Sequence, residues 1–533
     1  MPASIFDAYL SGEARAFFDS SFADVADRQR AVSKAARPLA PAVLGELTAQ
    51  NARFGPSEAR NSHLAALAQG AAAVVTGQQA GLFLGPLYTI YKVASAIRWA
   101  RMLARETGSA VVPVFWLQTE DHDLIEIAQC TVARAQREPC KLVLPAAADN
   151  RTSIAHLALP AEIDACLSTL ATELGELPHG HGHIERLARH YHAGGSWGGA
   201  FAGLLAELFE PEGLLLLDPR TDGFAAAAQS VHHTALVGAA EIARALLARC
   251  DALAQAGFAS TVHVRPDAPL SFFHAGGRQA PRHRLAACAA GFSEVGTDRK
   301  HTLAELLNAL ERDPLCFSTS ALLRPILQDT LLPTAAYVGG PAEVSYFAQL
   351  APLYAAFGKE LPLVVPRARL RVVAPSARRL LDRLGLEPGA AEQPVDRLLQ
   401  RLTARTGERR PQLEPAAFES ALVDGFERVL ANTLAQVAPF REQLAAALDK
   451  TRDKVRQSAN KLSAKYAALL LHADQARLTD VQRLKQLLQP EDQPQERVYG
   501  LAYFAALYGE RAFIEAVLAA IDPLDPTLRE LEP

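Results

Sequence analysis

The stretch VVTGQQAGLFLGPLYTIYK (residues 74 to 92) leads from an apolar run into a helical pattern through a glycine-rich loop. The run begins as AAAVVTG (71 to 77), and the helical pattern is followed by a second apolar run, VVPVFWL (111 to 117). A strand, a glycine loop, a helix and a strand make one βαβ unit, with parallel strands and a right-handed crossover. The sequence therefore predicts an α/β fold with a parallel sheet.

The α/β pattern continues on both sides of this unit. Helical spacing fills residues 4 to about 70, a single helix is predicted over 223 to 256, and strand-like runs include STVHV (260 to 264) and LCFSTS (315 to 320). We expect LCFSTS to belong to the parallel core. Residues 125 to about 195 are predicted to be an irregular insertion with short strands.

The pattern also predicts how the chain divides. Because 533 residues exceed one ordinary core, two to four domains are expected. The predicted divisions are 1–124 (N-terminal helices and first half of the core), 125–197 (connecting insertion), 198–255 (core continuation), 256–312 (second connecting insertion), 313–375 (second half of the core), 376–490 (helical coiled-coil domain) and 491–533 (helical tail packing on the body).

A coiled-coil pattern marks the helical domain. Polar residues occupy several of the positions at which two coiled-coil helices would meet, and they weaken that seam. We therefore expect a helical hairpin or a dimer arm and not a long zipper. Pro439 is expected to start or kink the helix. The positions that follow alternating steps of four and three are Leu444, Leu448, Thr451, Val455, Ser458, Leu462, Lys465 and Leu469.

Composition argues against several functional classes. A net charge of −4 and a pI near 6.4 provide no overall positive electrostatic field that would bind nucleic acid or an anionic membrane. No run approaches the roughly 18 apolar residues of a membrane span, and the N-terminal residues lack a signal-peptide pattern. The six cysteines are scattered without a CxxC pair, as in reduced proteins. We therefore expect a cytoplasmic protein.

The glycine loop is the first candidate site. Gly77, Gly81 and Gly85 lie between a strand and a helix, where bare backbone and exposed amides favour an anionic group such as phosphate or carboxylate. An ordinary strand-to-helix loop is the alternative, since the spacing matches neither GxGxxG nor a Walker loop. The side chains expected around the loop are Thr76, Gln78, Gln79, Tyr88 and Lys92.

Four polar residues, Glu120, Asp121, His122 and Asp123, follow the second strand. Ligands of open α/β sheets bind at the carboxyl ends of strands, so these residues should meet the glycine loop at one crevice. A histidine flanked by carboxylates can act as a general base or acid, or the group can hold an ammonium. A solvated turn with a helix cap and a divalent metal site are the alternatives.

Residues 324 to 346 repeat the strand–glycine–helix pattern. Gly339 and Gly340 follow a strand-like run, and Pro341 is placed to open a helix with Glu343 in its first turn. We expect this stretch to form a second wall of the same crevice. Arg324 could clamp a carboxylate there, and Tyr337 or Tyr346 could orient one, although each residue alone is more often structural.

Two further groups are candidate sites. The tract HGHGHIERLARHYH (179 to 192) is rich in histidine, but it has no fixed carboxylate or cysteine partner, so no metal site is predicted. Arg378, Arg379 and Arg383 open the helical region, and Arg497 opens the tail. These arginines could form a phosphate patch, and a solvated helix face is the alternative.

The sequence resembles the bacillithiol biosynthesis cysteine-adding enzymes, a family of cysteine ligases. The resemblance runs along nearly the whole chain. It departs where the family reads FSPNV and this chain has residues 317 to 321 as FSTSA. The motifs that carry it are VVTGQQAGLFLGPLYTIYK, VVPVFWLQTEDHDLIEI, LLRPILQDTLLPTAAYVGGPAEVSYFAQL, PLVVPR and QERV.

This resemblance implies a Rossmann-type core with connecting insertions and an α-helical coiled-coil domain that mediates homodimerisation. It implies a reaction that joins cysteine to glucosaminyl-malate as the last step of bacillithiol synthesis. The family fold is also similar to that of class I cysteinyl-tRNA synthetases, which implies that ATP activates a carboxylate. A sugar-acid or thiol-binding scaffold that recruits a partner enzyme through the coiled coil is the alternative, and a nucleotidyl- or glycosyltransferase is a third reading.

We expect His122 to act as the base, oriented by Asp121 or Asp123, with Glu120 as a further catalytic residue. Backbone amides of Gly77 to Gly81 are expected to stabilise a phosphate or an oxyanion. The expected substrate-binding residues are Thr76, Gly77, Gln78, Gln79, Gly81, Tyr88, Lys92, Trp116, Arg324, Gln328, Tyr337, Gly339, Gly340, Glu343, Tyr346 and Arg367. The expected residues for ATP or ADP are Arg378, Arg379, Arg383 and Arg497.

Overall fold

The computed structural model describes residues 4–146, 151–409, 414–436, 438–472 and 475–533. These residues form two compact units. The first unit takes the described residues of 1–134, 139–371 and 496–533, and the second takes those of 135–138 and 372–495. The sequence placed the corresponding divisions after residue 375 and after residue 490.

The strands are short and lie almost entirely in the first unit. In chain order they are β1 (Ala72–Gln78), β2 (Val111–Leu117), β3 (Gln129–Val132), β4 (Cys140–Val143), β5 (Leu215–Leu217), β6 (Ser271–Phe273), β7 (His283–Cys288), β8 (Gly291–Glu294), β9 (Lys300–His301), β10 (Phe317–Thr319), β11 (Thr334–Gly339), β12 (Leu363–Pro366), β13 (Arg369–Val372) and β14 (Leu528–Leu531).

Helices make up most of the remaining regular structure. They are α1 (Ile5–Ser11), α2 (Val25–Ala35), α3 (Pro41–Ala52), α4 (Glu58–Ala68), α5 (Tyr88–Thr107), α6 (Leu124–Ile127), α7 (Ile163–Leu174), α8 (Gly180–His190), α9 (Trp197–Leu208), α10 (Ala225–Val237), α11 (Ala239–Gln255), α12 (Leu303–Arg312), α13 (Arg324–Leu331), α14 (Pro341–Ala356), α15 (Pro375–Leu384), α16 (Val395–Arg409), α17 (Pro415–Gln436), α18 (Arg441–His472), α19 (Gln475–Leu488), α20 (Gln495–Val498), α21 (Ala502–Tyr508) and α22 (Glu510–Ala520).

A parallel sheet forms the centre of the first unit, with the strand order β12-β11-β1-β2-β5. The apolar run VVPVFWL is buried along its whole length, as expected for a parallel strand covered on both faces. Along the chain, strands are first added on one side of β1, as far as β5, and then on its other side from β11 onward. The strand order therefore reverses between β1 and β11. This order confirms the predicted Rossmann-type α/β core.

The first insertion is more regular than the sequence predicted. β3 pairs with β4 in antiparallel register, and the helices α7 and α8 follow. The histidine-rich tract forms α8, whose buried face consists of Gly180, His183 and Leu187. Of these three residues His183 is polar, so the buried face of α8 is not a purely apolar stripe. His183 Nδ1 lies 2.5 Å from Glu510 Oε1 on α22.

A second sheet, with the order β10-β6-β7-β8-β9, is antiparallel. Its strand β10 comes from LCFSTS, so the prediction that this run joins the parallel core was wrong. Phe317 of β10 instead packs with Phe273 of β6, their ring centroids being 4.9 Å apart. A short apolar run does not reveal which sheet will cover it, because both sheets offer the same kind of buried face.

Two other predicted elements differ in the structure. The run STVHV does not form a strand, because the Val262 N–H and carbonyl bond to the side-chain amide of Gln349 at 3.0 and 2.9 Å. The helix predicted over 223 to 256 is divided at Gly238 into α10 and α11. Alanine-rich sequence on both sides of Gly238 hid this break.

The second unit consists of α15 to α19, with a small core that includes Leu381, Leu398 and Leu484. Within it, α17 and α18 pack as an antiparallel hairpin. Ser463 Oγ donates to the Pro415 carbonyl at 2.7 Å, and Arg452 pairs with Glu427 at 2.9 Å. The predicted helical hairpin is therefore confirmed. On α18 the predicted seam positions Leu444, Leu462 and Leu469 are exposed, by 39%, 48% and 60%.

Two special features are absent among the residues that the structure describes. None of the helices combines the length and the apolar character that crossing a membrane requires. Among the same residues, no cluster of three or more histidine, cysteine, aspartate or glutamate side chains is arranged to hold a metal ion.

Candidate active site

A cavity of about 310 Å³ lies at the carboxyl edge of the parallel sheet. It is formed where β1, β2, β11 and β12 end, and so it includes the point between β1 and β11 where the strand order reverses. Ligands of open α/β sheets bind at this point. The lining residues are Gly77, Gln78, Gln79, Tyr88, Lys92, Trp116, Gln118, Asp121, Glu126, Ala321, Arg324, Tyr337, Gly340, Pro341, Ala342, Glu343, Tyr346, Arg367 and Arg497.

The glycine loop brings β1 close to β2. A β-carbon on Gly77 would lie 2.8 Å from the Trp116 carbonyl oxygen, so a larger residue could not make this approach. The loop then turns through Phe83, Leu84 and Gly85, whose φ values are positive at 50°, 71° and 65°. This turn lets the chain enter α5 directly above the end of β1.

Amides of this loop that were expected to bind an anion are engaged within the protein. The Gly81 N–H donates to the Gln79 carbonyl at 2.9 Å, and the Leu87 N–H, at the start of α5, donates to the Tyr499 carbonyl at 2.8 Å. Gly81 also lies outside the cavity lining. The positive charge of the cavity comes instead from side chains.

Lys92 and Glu343 form a buried ion pair in the cavity wall. Lys92 Nζ lies 2.5 Å from Glu343 Oε2 and donates to the Gly77 carbonyl (2.9 Å) and to Gln78 Oε1 (2.7 Å). Burial lowers the pKa of Lys92, and Glu343 offsets only part of this effect. Burial by itself would raise the pKa of Glu343, but the charge and hydrogen bond of Lys92, together with hydrogen bonds from Tyr337 and the Gly340 N–H, outweigh burial and lower that pKa. The pair therefore ties the end of β1 to the start of α14.

Arg324 is the centre of a buried cluster of hydroxyl and amide groups. Its Nη2 donates to the Tyr337 hydroxyl (3.1 Å) and the Tyr346 hydroxyl (2.8 Å), and its Nη1 donates to Gln328 Oε1 (2.9 Å). The Tyr337 hydroxyl in turn donates to Glu343 Oε1 at 2.6 Å. A continuous chain of hydrogen bonds thus links Arg324 to the buried ion pair, and holds the guanidinium in one orientation at the cavity.

Two more arginines line the cavity. Arg367 follows β12; its Nη2 donates to Glu496 Oε1 at 2.6 Å, and its guanidinium lies 5.8 Å from the ring centroid of Tyr88. Arg497 is exposed on α20 and also contributes to the lining. Burial raises the pKa of Tyr88 to about 12, so its phenol is neutral at physiological pH and can act as a hydrogen-bond donor or acceptor.

Asp121 contributes negative charge to the same cavity. Its Oδ2 accepts from Gln79 Nε2 at 2.7 Å, and its Oδ1 accepts from the His122 N–H at 2.7 Å. Arg282 Nη1 lies 4.0 Å from Oδ1. Burial would raise the pKa of Asp121, but His122, Arg282 and Gln79 together outweigh burial and lower it. Asp121 is therefore ionised at physiological pH.

Within the EDHD motif, only Asp121 lines the cavity. Glu120 is 3% exposed and accepts hydrogen bonds from the hydroxyl and the N–H of Thr319, on the second sheet. Asp123 caps α6, where its carboxylate accepts from a backbone N–H at 3.2 Å. His122 Nδ1 lies 3.5 Å from Asp121 Oδ1, with its side chain 35% exposed. The catalytic roles expected of Glu120, His122 and Asp123 stay predictions.

Comparison with known families covers almost the whole chain. Residues 2–368 match the family described as "Bacillithiol biosynthesis BshC, N-terminal Rossmann-like domain". Residues 372–529 match "Bacillithiol biosynthesis BshC, C-terminal coiled-coil domain". The chain belongs to the BshC family. The structure adds that the tail from residue 496, which the C-terminal match includes, folds as part of the first unit.

The matches to individual BshC relatives span most of this chain and most of each relative. The protein named "Putative cysteine ligase BshC" from Solibacter usitatus is 34% identical to this chain, over 83% of this chain and 80% of the relative. The relatives from the next two organisms carry the same name. In Koribacter versatilis the identity is 33%, over 86% of this chain and 84% of the relative. In Salinibacter ruber the identity is 32%, over 91% of this chain and 87% of the relative.

Most of the residues predicted to bind substrate in this BshC chain meet at the cavity. Four of them do not line it: Thr76, Gly81, Gln328 and Gly339. Thr76 donates to the Val338 carbonyl at 3.0 Å, and so joins β1 to β11. The predicted substrate-binding residues that line the cavity are Gly77, Gln78, Gln79, Tyr88, Lys92, Trp116, Arg324, Tyr337, Gly340, Glu343, Tyr346 and Arg367.

Some lining residues were not identified from the sequence. A signal for Glu126 was present, since it follows Asp123 by three positions in the same motif, which is the spacing of one helical turn. Ala321, Pro341 and Ala342 have no polar side chain that would indicate a site. Gln118 was interpreted as part of the end of the strand. The missed lining residues are Gln118, Glu126, Ala321, Pro341 and Ala342.

The four arginines predicted to bind a nucleotide belong to different units. Arg497 lies in the first unit and lines the cavity. Arg378, Arg379 and Arg383 lie on α15 in the second unit, where Arg383 Nη1 is 2.9 Å from Asp480 Oδ2. The nucleotide-binding role of all four residues stays a prediction.

Proposed function

We propose that this BshC-family protein is a ligase that joins the carboxyl group of cysteine to the amine of glucosaminyl-malate, forming the amide of bacillithiol. The observation that carries this proposal is the cavity at the reversal of strand order, which collects charged side chains of both signs. The cations in its lining are Lys92, Arg324, Arg367 and Arg497, and the carboxylates are Asp121, Glu126 and Glu343. The relatives' shared name supports cysteine as one substrate.

The charges of the cavity suit the proposed substrates. Cysteine carries one carboxylate and the malate portion carries two, and guanidinium groups bind carboxylates through paired hydrogen bonds. Arg324 is held in place by the phenols of Tyr337 and Tyr346, so little of its conformational freedom is lost on binding. The ionised carboxylate of Asp121 is available to bind a protonated amine.

ATP is the proposed co-substrate. When bound, it supplies the phosphoryl or adenylyl group that activates a carboxylate toward an amine. Lys92, Arg324, Arg367 and Arg497 give the cavity the positive charge that phosphate groups require. Arg378, Arg379 and Arg383, in the second unit, stay predicted nucleotide-binding residues.

We also propose that the protein is a cytoplasmic homodimer. Exposed Leu444, Leu462 and Leu469 on α18 support pairing of two α17–α18 hairpins, because such a stripe is buried when two coiled-coil arms meet. All six cysteines are free, which suits a reducing compartment.

The central test is a reconstitution. Purified protein is incubated with cysteine, glucosaminyl-malate and ATP, and bacillithiol is measured by mass spectrometry, with AMP and ADP measured in parallel. We expect product only when all three compounds are present. An Arg324→Lys variant should lose most activity, because lysine cannot make the same set of contacts to Tyr337, Tyr346 and Gln328.

Arg244→Lys is the matched control for this variant, because Arg244 is exposed on α11. A folded wild-type protein that yields no product would contradict the ligase proposal. Binding of glucosaminyl-malate by that inactive protein, measured by calorimetry, would favour the scaffold alternative.

A further inference from the structure

Glu126 occupies a distinctive position in the cavity. It lies on α6, directly after the EDHD motif, and contributes to the lining, whereas His122 and Asp123 do not. The side-chain amide of Gln79 donates to Asp121 Oδ2 at 2.7 Å, and Gln79, Asp121 and Glu126 all line the cavity. One amide and two carboxylates therefore face the same cavity.

We propose that Gln79, Asp121 and Glu126 form the subsite for the amine of glucosaminyl-malate, and that Glu126 accepts its proton during attack. This inference rests on the proposed ligase function and assigns the proton transfer within it. The two carboxylates have different tasks. Asp121 binds the ammonium form electrostatically, and Glu126 takes up a proton when the amine becomes a nucleophile.

The nitrogen lone pair forms a bond to the activated carboxyl carbon of cysteine, and the bond from that carbon to the oxygen of its phosphate-derived leaving group breaks. The leaving group departs with the electron pair of that bond. Two protons leave the nitrogen: the first passes from the ammonium to the Glu126 carboxylate and on to water at the exposed side of the residue, which frees the lone pair, and the second follows the same route as the amide forms. Activation requires the nucleoside triphosphate already named as co-substrate.

Electrostatics favours this division of roles. Partial burial and the charge of Asp123 raise the pKa of Glu126, with a further contribution from Asp121, while Gln79 and Arg497 oppose the shift. The pKa of Asp121 is lowered, so Asp121 is the poorer proton acceptor. A general base works best when its pKa is brought toward the working pH. Tyr88 of α5, whose own pKa is raised, also interacts electrostatically with Glu126.

Glu126→Gln tests the proposal because it keeps the size of the side chain and removes its basicity. We expect kcat for bacillithiol formation to fall about 10²- to 10⁴-fold, which is the usual contribution of a general base. The variant should also lose the rise of kcat with pH that the wild type shows as its carboxylate ionises. Glu126→Asp should recover part of the activity. Glu311→Gln, at an exposed glutamate on α12, is the matched control.

A second measurement does not depend on turnover. Titration calorimetry of glucosaminyl-malate without ATP should show weaker binding to Glu126→Gln and to Asp121→Asn than to the wild type. The proposal would be overturned if Glu126→Gln kept the kcat of the wild type and its dependence on pH. It would also be overturned if the rise of kcat with pH were lost in His122→Ala and in no other variant. If the wild type binds this compound through the subsite but forms no product, the ligase function fails and the amine subsite stands.

Discussion

Lys92 Nζ lies 2.5 Å from Glu343 Oε2 and joins the helix after β1 to the helix after β11. These two strands flank the point at which the sheet reverses its order. The pair is buried, with side-chain exposures of 5% and 20%, and it continues through Tyr337 to Arg324. Elements from distant parts of the chain are thus fixed to each other at the wall of the proposed active site.

Breaking this pair should destabilise the protein. We expect Lys92→Met or Glu343→Gln to lower the free energy of unfolding by about 3–5 kcal/mol, because each leaves the other group unpaired in a buried place. The double variant Lys92→Met with Glu343→Gln should cost less than the sum of the two single changes. Urea denaturation measures all three values.

The exposed pair of Lys34 and Glu360, with side-chain exposures of 53% and 73%, provides the control. Lys34→Met should change the free energy of unfolding by about 0–1 kcal/mol. Equal effects at Lys34 and Lys92 would show that the buried pair has no special role.

A methyl group at Gly77 should disturb the contact between β1 and β2. The added carbon would lie 2.8 Å from the Trp116 carbonyl, so we expect Gly77→Ala to lower the free energy of unfolding by about 1–3 kcal/mol. Activity should fall as well, since Gly77 and Trp116 both line the cavity. Thermal or urea unfolding and the reconstituted assay measure the two effects.

Gly45→Ala is the control, because Gly45 lies within α3 and an added β-carbon would meet nothing within 4 Å. Alanine is the better helix former by about 0.5–1 kcal/mol, so this change should be neutral or stabilising. If Gly77→Ala proves as stable as Gly45→Ala, the close approach to Trp116 is not a constraint.

Asp121 should make the stability depend on pH in the acid range. Its pKa is lower in the folded protein than the ordinary value of about 3.9, so the unfolded chain binds the proton more tightly. The contribution of Asp121 is therefore complete above the ordinary pKa and is lost as the pH falls toward the folded-state pKa. The stability gap between the wild type and Asp121→Asn should shrink as the pH falls from about 6 to about 3.

Urea denaturation at several pH values measures this gap, with Asp251→Asn, at an exposed aspartate on α11, as the matched control. A gap between the wild type and Asp121→Asn that stays constant over this range would count against the lowered pKa.

Charge on the exposed face of α18 should prevent the proposed dimer. Leu462 and Leu469 are 48% and 60% exposed, and burying a glutamate in a subunit interface costs more than burying leucine. We expect the variant with both leucines changed to glutamate to sediment as a monomer at concentrations at which the wild type is a dimer. Val237→Glu, on α10 of the first unit, is the control, since Val237 is 55% exposed. A wild-type protein that sediments as a monomer would refute the dimer itself.

Several features of the fold could be predicted because they depend on local sequence. The apolar runs before and after the glycine loop specify β1 and β2, and the loop between them requires glycine at position 77. The α17–α18 hairpin follows from a heptad pattern. Polar residues placed directly after strands predicted where the cavity lies, since the carboxyl ends of parallel strands share one edge.

Other features could not be predicted because they depend on partners that are distant in the chain. The strand in LCFSTS joins the antiparallel sheet because β6 is the neighbour available to it. Glu120 and Asp121 are adjacent in sequence, yet Glu120 bonds to Thr319 while Asp121 faces the cavity. Successive side chains point in different directions, so a motif alone does not say which of its members reach a ligand.

The sequence by itself determined β1, β2, the glycine loop, the hairpin and the family resemblance, because each follows from local spacing or composition. The tertiary structure decided which charged groups share the cavity. It brought Lys92 to Glu343 and left Glu126 at the lining while His122 stayed outside it. The physical reason is that burial of a charge requires a partner, and the partner is supplied by whichever element the fold packs alongside.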